Sequence, residues 1–353
     1  MFREFFRRLF SRRPRNHNAA RVDDQPDLRG AHRGSPTLSE TRSTGSTADN
    51  EASRKYLESA QDLRQTVPPT FRWLDQRDMC VEEGTVAGGR HANVLKGRLD
   101  GRDVAVKAYR HYMHCFDHDQ VRMRCQKETH AHNLLSHRNI VPLVGVYSTQ
   151  EHPLSLVFDI LAEHQDLIAY LRDKPYATKV QLLAEIARGL HHMHAMGVVH
   201  GNLERANIVV ESDCTPRITG LGSAFVQSPQ VNWPEVPPEL TRCSAPELVN
   251  PGRFGLPRAQ ITKQSDVYSF GVLAYEVLAG DCVFPHLRAD IAAIYAMSSG
   301  TRPPRPHDPE LSNRFWDMIN KCWANEPSER IPIAEVVSAL EIELEEARAK
   351  LSP

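Results

Sequence analysis

His200-Gly201-Asn202-Leu203-Glu204-Arg205-Ala206-Asn207-Ile208-Val209-Val210 decides how this chain is read. It is a polar run following an apolar helical stretch, 178–197, that ends at Gly197. Asn202 is a neutral amide and takes up no proton at ordinary pH. Upstream, from about residue 79, come short strand-like runs, Val104-Ala105-Val106 and Leu154 to Phe158, with a helical stretch at about 117–136 between them. After residue 165 the pattern is mostly helical, at 166–172, 178–197, 265–280, 288–299, 311–322 and 332–349. A small strand-rich lobe followed by a larger helical one is an α+β, bilobal arrangement.

Further landmarks fall around that frame. Val104-Ala105-Val106-Lys107 precedes Glu128, which stands nine residues before His137 in Leu135-Ser136-His137-Arg138-Asn139-Ile140-Val141. Ala245-Pro246-Glu247, Ser265-Asp266-Val267-Tyr268-Ser269-Phe270-Gly271, and Cys322-Trp323 with Pro327 and Arg330 follow in order. Across residues 81–340 this series resembles the protein kinase superfamily, serine/threonine or tyrosine-kinase-like, with a degenerate catalytic site. The resemblance implies a kinase-like domain over 79–349, with an N-lobe at 79–162 and a C-lobe at 163–349. It also implies that Lys107 contacts nucleotide phosphate and pairs with Glu128, and that Gly89, Val94 and Ala105 line the nucleotide site. Glu247 is then the partner of Arg330, and the helix at 265–271 carries the loop at 200–207. Phe158 takes the position at the back of the adenine site, although a buried strand aromatic is equally well explained as core.

The departures sit where that family handles phosphate, metal and substrate. Its catalytic loop reads His-Arg-Asp, four residues, then Asn, and the Asp accepts the substrate hydroxyl proton. Here Asn202 takes the Asp position, Gly201 the Arg position and Glu204 the position of a lysine that steadies the transferred phosphate. Arg205 is adjacent but shifted by one residue. The Asp-Phe-Gly triplet, whose Asp holds magnesium, falls on Gly220-Leu221-Gly222, thirteen residues after Asn207. Gly220 has no side chain to offer a cation, and Asn207 alone supplies only one neutral amide oxygen. The nucleotide loop reads Ala87-Gly88-Gly89-Arg90-His91-Ala92-Asn93-Val94, with only Gly89 in the family's place. General base catalysis is worth about 10²–10⁴ in rate, and charge clamps roughly 10²–10³ each. Such losses do not simply multiply, yet together they remove most of a kinase's acceleration.

With Lys plus Arg 43 and Asp plus Glu 44, the charge gives no global bias toward nucleic acid. No run of eighteen apolar residues is present, so no transmembrane helix is expected. Seven scattered cysteines without a CxxC pair match neither a disulfide framework nor a zinc site, and fit a reducing compartment. His191, His192 and His194 cluster, but no supporting ligand spacing accompanies them. Residues 1–15, MFREFFRRLFSRRPR, place Phe2, Phe5, Phe6, Leu9 and Phe10 on one helical stripe among six arginines. This pattern suits an anionic membrane surface, a mitochondrial transit peptide, a docking helix or a plain basic tail. Residues 16–53 have too few large apolar side chains to fold and read as a disordered linker. The lead-in at 54–78, with Tyr56, Leu57, Leu63, Phe71, Trp73 and Leu74, is expected to pack as a helix. Pro229, Pro234, Pro237 and Pro238 mark an extended loop, in which Ser228, Thr241 and Ser244 are candidate phosphorylation targets. With Gly201 in place of arginine, no cationic receiver for such a phosphate is evident.

The expectation is therefore a pseudokinase, a kinase-fold signalling protein acting as scaffold or allosteric partner of other proteins, among them an active kinase. It binds ATP weakly or not at all and holds no magnesium. The alternatives are an active atypical kinase that phosphorylates protein Ser, Thr or Tyr, and an adaptor recruited to membrane through residues 1–15. An intracellular, cytoplasmic setting follows, with peripheral membrane or mitochondrial placement as variants.

Overall fold

Alternation along Arg102–Tyr109 explains the small lobe. Ala105 and Tyr109 turn to one side of the strand, while Val104, Val106 and Ala108 turn to the other. The computed structural model describes residues 67–88, 91–110, 118–149, 151–152, 154–159, 167–227 and 238–350. Residues 1–15, expected as a basic helix, residues 16–53, expected as a linker, residues 54–66 of the lead-in with Tyr56, Leu57 and Leu63, and Gly89, Ser228, Pro229, Pro234 and Pro237 lie outside the described residues.

Six strands form one sheet: β1 (Arg72–Leu74), β2 (Met79–Gly88), β3 (Ala92–Leu99), β4 (Arg102–Tyr109), β5 (Leu143–Tyr147) and β6 (Ser155–Asp159). Their spatial order is β1-β5-β6-β4-β3-β2. All neighbours are antiparallel except β1 with β5. Both faces are buried. One packs on helix α1 (His118–Leu134) through Val121 and Cys125, and the other closes on itself around Leu95, Leu99 and Val157 as the sheet curls.

The lead-in corrects one expectation. Residues 72–74 are a strand, not a helix, and they extend the small lobe upstream of residue 79. Trp73 packs with the cluster of Tyr109 and Phe158, whereas Leu74 belongs to the opposite cluster with Val106 and Val157. Adjacent residues facing opposite sides require period two, which a three-residue strand is too short to display in sequence.

The large lobe contains helices α2 (Leu167–Leu171), α3 (Tyr176–Ala195), α4 (Pro246–Val249), α5 (Lys263–Ala279), α6 (Asp290–Ser298), α7 (Asn313–Cys322) and α8 (Ile333–Ala349). Two small ribbons, β7 (Val198–Val199) with β10 (Phe225–Val226) and β8 (Ile208–Val210) with β9 (Pro216–Ile218), carry the loops of the cleft. Helix α5 opens on a reciprocal cap between Thr262 and Ser265 and is buried over nearly its whole length. Among the described residues no helix is long and apolar enough to cross a membrane.

One buried ion pair ties the late helices to α4. Arg330 donates to Glu247 at 2.6 and 2.7 Å, with side chains 0% and 2% exposed. Its remaining donors reach the carbonyls of Ala324, Gln264 and Asn325. Arg330→Met leaves the Glu247 carboxylate buried without its cation. It is expected to cost about 3–5 kcal/mol in urea unfolding; a loss under about 1 kcal/mol would contradict this account of the pair.

Candidate functional site

The cleft is assembled on Asp266, in the first turn of α5. Its Oδ2 accepts the His200 backbone N–H at 2.8 Å and its Oδ1 that of Gly201 at 2.9 Å, while His194 Nε2 lies 2.9 Å from Oδ2. His194 is thereby committed to holding this loop. His192, its neighbour in the histidine cluster, stacks on His137 with ring centroids 5.1 Å apart. His200 points its Nε2 at the Thr219 carbonyl, 3.0 Å away, and burial pushes its pKa down. The loop at 200–207 is thus sewn to both α5 and the strand leading to Gly220.

On the small-lobe side Lys107 of β4 reaches Glu128 of α1, with Nζ 2.6 and 2.9 Å from the two carboxylate oxygens. Tyr109, two residues along β4 on the same face as Lys107, donates its hydroxyl to Glu128. Burial alone would raise the Glu128 pKa. The charge of Lys107, followed by His132 and by hydrogen bonds from Lys107 and Tyr109, outweighs it and holds the carboxyl below its ordinary value. His132, one turn further along α1, is fully enclosed and its pKa is pushed down to about 4 by burial. Its ring meets Phe158 edge-on at 5.4 Å. Phe158 is therefore core packing against α1.

Val94, Ala105, Leu143 and Phe158 belong to the small-lobe cluster, and Val209 of β8 packs against it from the large lobe.

Among the described residues no group of three or more His, Cys, Asp or Glu side chains is placed to hold a metal ion. Gly220 adopts a left-handed backbone, φ +81°, and a Cβ there would fall on Asn207 Oδ1 and lie 2.6 Å from Asn207 Cγ. Asn207 is held in that place by donating from Nδ2 to the Asn202 carbonyl at 2.8 Å, while its own carbonyl accepts from the Thr219 N–H at 2.9 Å. The space of the missing carboxylate is thus taken by the asparagine amide. Gly201 is fixed in a similar way. At φ +75° a Cβ would come 2.8 Å from the Ser223 carbonyl and 2.9 Å from Ile261 Cδ1, so no larger residue enters without displacing the chain.

Glu204 and Arg205 are both half-buried. Both act on Glu276 of α5, whose Oε1 accepts the Val283 N–H. Burial pushes the Glu276 carboxyl up to about 7; the charge of Arg205 pulls it down and that of Glu204 adds to the rise. Arg205 therefore balances a buried acid.

Sequence reasoning missed three groups at the cleft mouth. Arg124, one turn before Glu128 on α1, donates to Glu239 at 2.7 Å and to Ser223 Oγ at 3.2 Å. His91 Nε2, from the β2–β3 connection, bonds the same Glu239 carboxylate. A cation, Arg124, does reach the segment before Ala245, contrary to the reading from Gly201, but it receives a carboxylate. The helical spacing of Arg124 and Glu128 was a visible signal; the long-range partner was not. Thr241 and Ser244 are engaged in a turn, with the Thr241 N–H donating to Ser244 Oγ at 2.8 Å, and Ser244 is buried.

Two predictions follow from this geometry. Gly220→Asp should destabilise the fold by about 1–3 kcal/mol, through backbone strain and displacement of Asn207. It should also confer no magnesium-dependent ATP binding in calorimetry; recovery of such binding at full stability would contradict the filled corner. For Glu276, the folded pKa lies above the ordinary 4.5. The folded state therefore keeps a proton that the unfolded chain loses between about pH 4.5 and 7, and stability falls as pH rises through that window. Glu276→Gln should remove this component, worth on the order of 3 kcal/mol. Unfolding curves of wild type and variant that stay parallel across the window would contradict it.

Residues 81–340 match the sequence profile described as protein tyrosine and serine/threonine kinase. The chain is similar to serine/threonine/tyrosine-protein kinase HT1 of Arabidopsis thaliana, at 26% identity over 263 residues, covering 72% of this chain and 64% of that protein. Megakaryocyte-associated tyrosine-protein kinase of Mus musculus is 28% identical over 278 residues, 77% of this chain and 50% of its own length. Serine/threonine-protein kinase STY17 of Arabidopsis thaliana is 22% identical over 276 residues, 77% of this chain and 46% of its own. The chain thus spans less than two thirds of these relatives' length. The profile covers most of the chain and includes every landmark of the two lobes: this protein belongs to the protein tyrosine and serine/threonine kinase family.

Proposed function

We propose that this kinase-fold protein is a pseudokinase, which works by presenting its folded surface to protein partners and not by transferring phosphate. The observation that carries this reading is the Asn207–Gly220 contact: the corner where a cation would neutralise nucleotide phosphates is filled by an amide. Asn202 stands where the proton acceptor is needed and has no basicity to supply. Glu204 puts a carboxylate where a developing phosphate charge would need a cation. The structural parts, Asp266 under the loop and Arg330 with Glu247, remain intact, as a scaffold requires.

An ATP-type nucleotide has a place only in part. Val94, Ala105, Phe158 and Val209 suit the base, and Lys107 suits a phosphate, while nothing at Gly220 ligates magnesium. Binding is therefore weak and independent of the metal. The formed Lys107–Glu128 pair is the one observation that favours the alternative, an active atypical kinase acting on protein hydroxyls. Removing either partner of a buried pair strands the other charge, so the pair also has a purely structural reason to be present.

Thermal shift and phosphotransfer separate the two readings. ATP at millimolar concentration should raise the melting temperature slightly or not at all, equally with and without magnesium. Radiolabelled autophosphorylation should not exceed that of an Asn202→Ala control. Magnesium-dependent stabilisation, or incorporation lost on Asn202→Ala, would restore the enzyme reading.

A further inference from the structure

Two large apolar side chains of the large lobe face water. Ile291 and Tyr295 are 66% and 72% exposed, whereas Met196 and Ile342, on other helices, reach 45% and 44%. Both belong to α6, four residues apart and so on one face of it. The opposite side of the helix, with Ala293, Ile294 and Met297, is buried. Ala293 and Met297 join the core of the large lobe. The helix is thus anchored by that side, and Ile291 with Tyr295 forms an apolar stripe that the fold itself does not use.

Cations stand at both ends of the stripe. Arg288 is exposed three residues before Ile291, at the entry to α6. Arg253 is exposed at the far end, where its guanidinium donates to the Ser298 carbonyl at 3.2 Å and lies beside the Phe254 ring. Ser298 follows Tyr295 by three residues and shares its face. Asp290, the single acid of α6, is taken by Arg242, whose Nε donates to it at 2.7 Å. Arg242 also donates to the carbonyls of Val283, Phe284 and Leu287, so the entry to the helix is braced. A platform held in this way loses little freedom when something docks on it.

We infer that this face of α6 docks an acidic helix of a partner protein, which sets large apolar side chains on Ile291 and Tyr295 and carboxylates against Arg288 and Arg253. The two arginines decide the sign of the partner's charge. Tyrosine and arginine are the side chains that most often anchor interfaces, and a helix repeats its apolar groups at the same spacing as the stripe. An anionic membrane would meet the same cations, but two side chains over one turn are too narrow an apolar face to sit in a bilayer. The inference rests on the reading of this protein as one that works through its surface, and it names the surface.

Two labelled synthetic peptides serve as probes, each of roughly sixteen residues so that it can form a helix. One sets pairs of Leu four positions apart among Glu residues; the other has Lys for every Glu. Each is titrated into the full chain, as wild type, Tyr295→Ser, Ile291→Ser and Arg288→Glu, and fluorescence anisotropy is read. The acidic peptide should bind wild type at least about tenfold more tightly than the basic one. Tyr295→Ser and Ile291→Ser should each weaken it by about tenfold, and Arg288→Glu by roughly threefold. All three positions are exposed, so melting temperatures should stay within about 2 °C of wild type; if one variant fails to fold, the other two decide. No binding of the acidic peptide, equal binding of both peptides, or equal affinity in wild type and variants overturns the docking face. Self-association in sedimentation velocity, or sedimentation with phosphatidylserine vesicles, overturns it too if Tyr295→Ser abolishes it, since the face then has another occupant. Phosphate transfer by wild type would refute the pseudokinase reading without altering these affinities, whereas the peptide ratios decide the docking face alone.

Discussion

Asp266 is the constraint on which the cleft rests. A carboxylate 1% exposed to solvent is tolerable only if its oxygens are satisfied, and here they accept two consecutive backbone N–H groups and face His194. Those bonds fix the direction in which the chain leaves His200, and hence where Asn202, Asn207 and Gly220 lie. Helix α5 supplies the rigidity, being buried along most of its length and capped at its start. What a kinase needs in order to fold is therefore separable from what it needs in order to react. The large lobe keeps the first in full.

The losses in the site are mutually fitted. Gly220 is not merely a missing carboxylate: its left-handed backbone and the amide of Asn207 occupy each other's space. Gly201 likewise allows Ser223 and Ile261 to close in where a side chain would stand. A side chain at either position therefore meets atoms that already stand within 3 Å of where its Cβ would lie. Arg205, beside Glu204 in sequence, acts on Glu276, whose raised pKa its charge pulls down.

Much of this was legible in the sequence because the landmarks carry chemistry at fixed spacing. Lys107 with Glu128, Glu247 with Arg330, and Asp266 beneath His200 were all placed by motif, and the helices of the large lobe fell within a few residues of their observed ends. Other features were not legible, for physical reasons. Arg72-Trp73-Leu74 is too short to show a period, and its strand exists because β5 offers an edge. The left-handed turn at Gly220 and the swing of Asn207 into its place depend on backbone angles that residue identity does not specify. The meeting of Glu239 with Arg124 and His91 spans 115 and 148 positions, beyond any local pattern. Gly89 and the stripe at residues 1–15 are read from sequence alone.

The central claim, that no divalent cation is held where Asn207 meets Gly220, is tested most directly by manganese. Mn²⁺ added to isotopically labelled protein with ATP broadens the magnetic resonance signals of nuclei close to it. The account predicts that the Asn207 side-chain amide and the Gly220 backbone amide broaden no more than exposed surface signals. Selective loss of those two signals at low Mn²⁺, reversed by excess magnesium, would show a working metal corner and contradict the account.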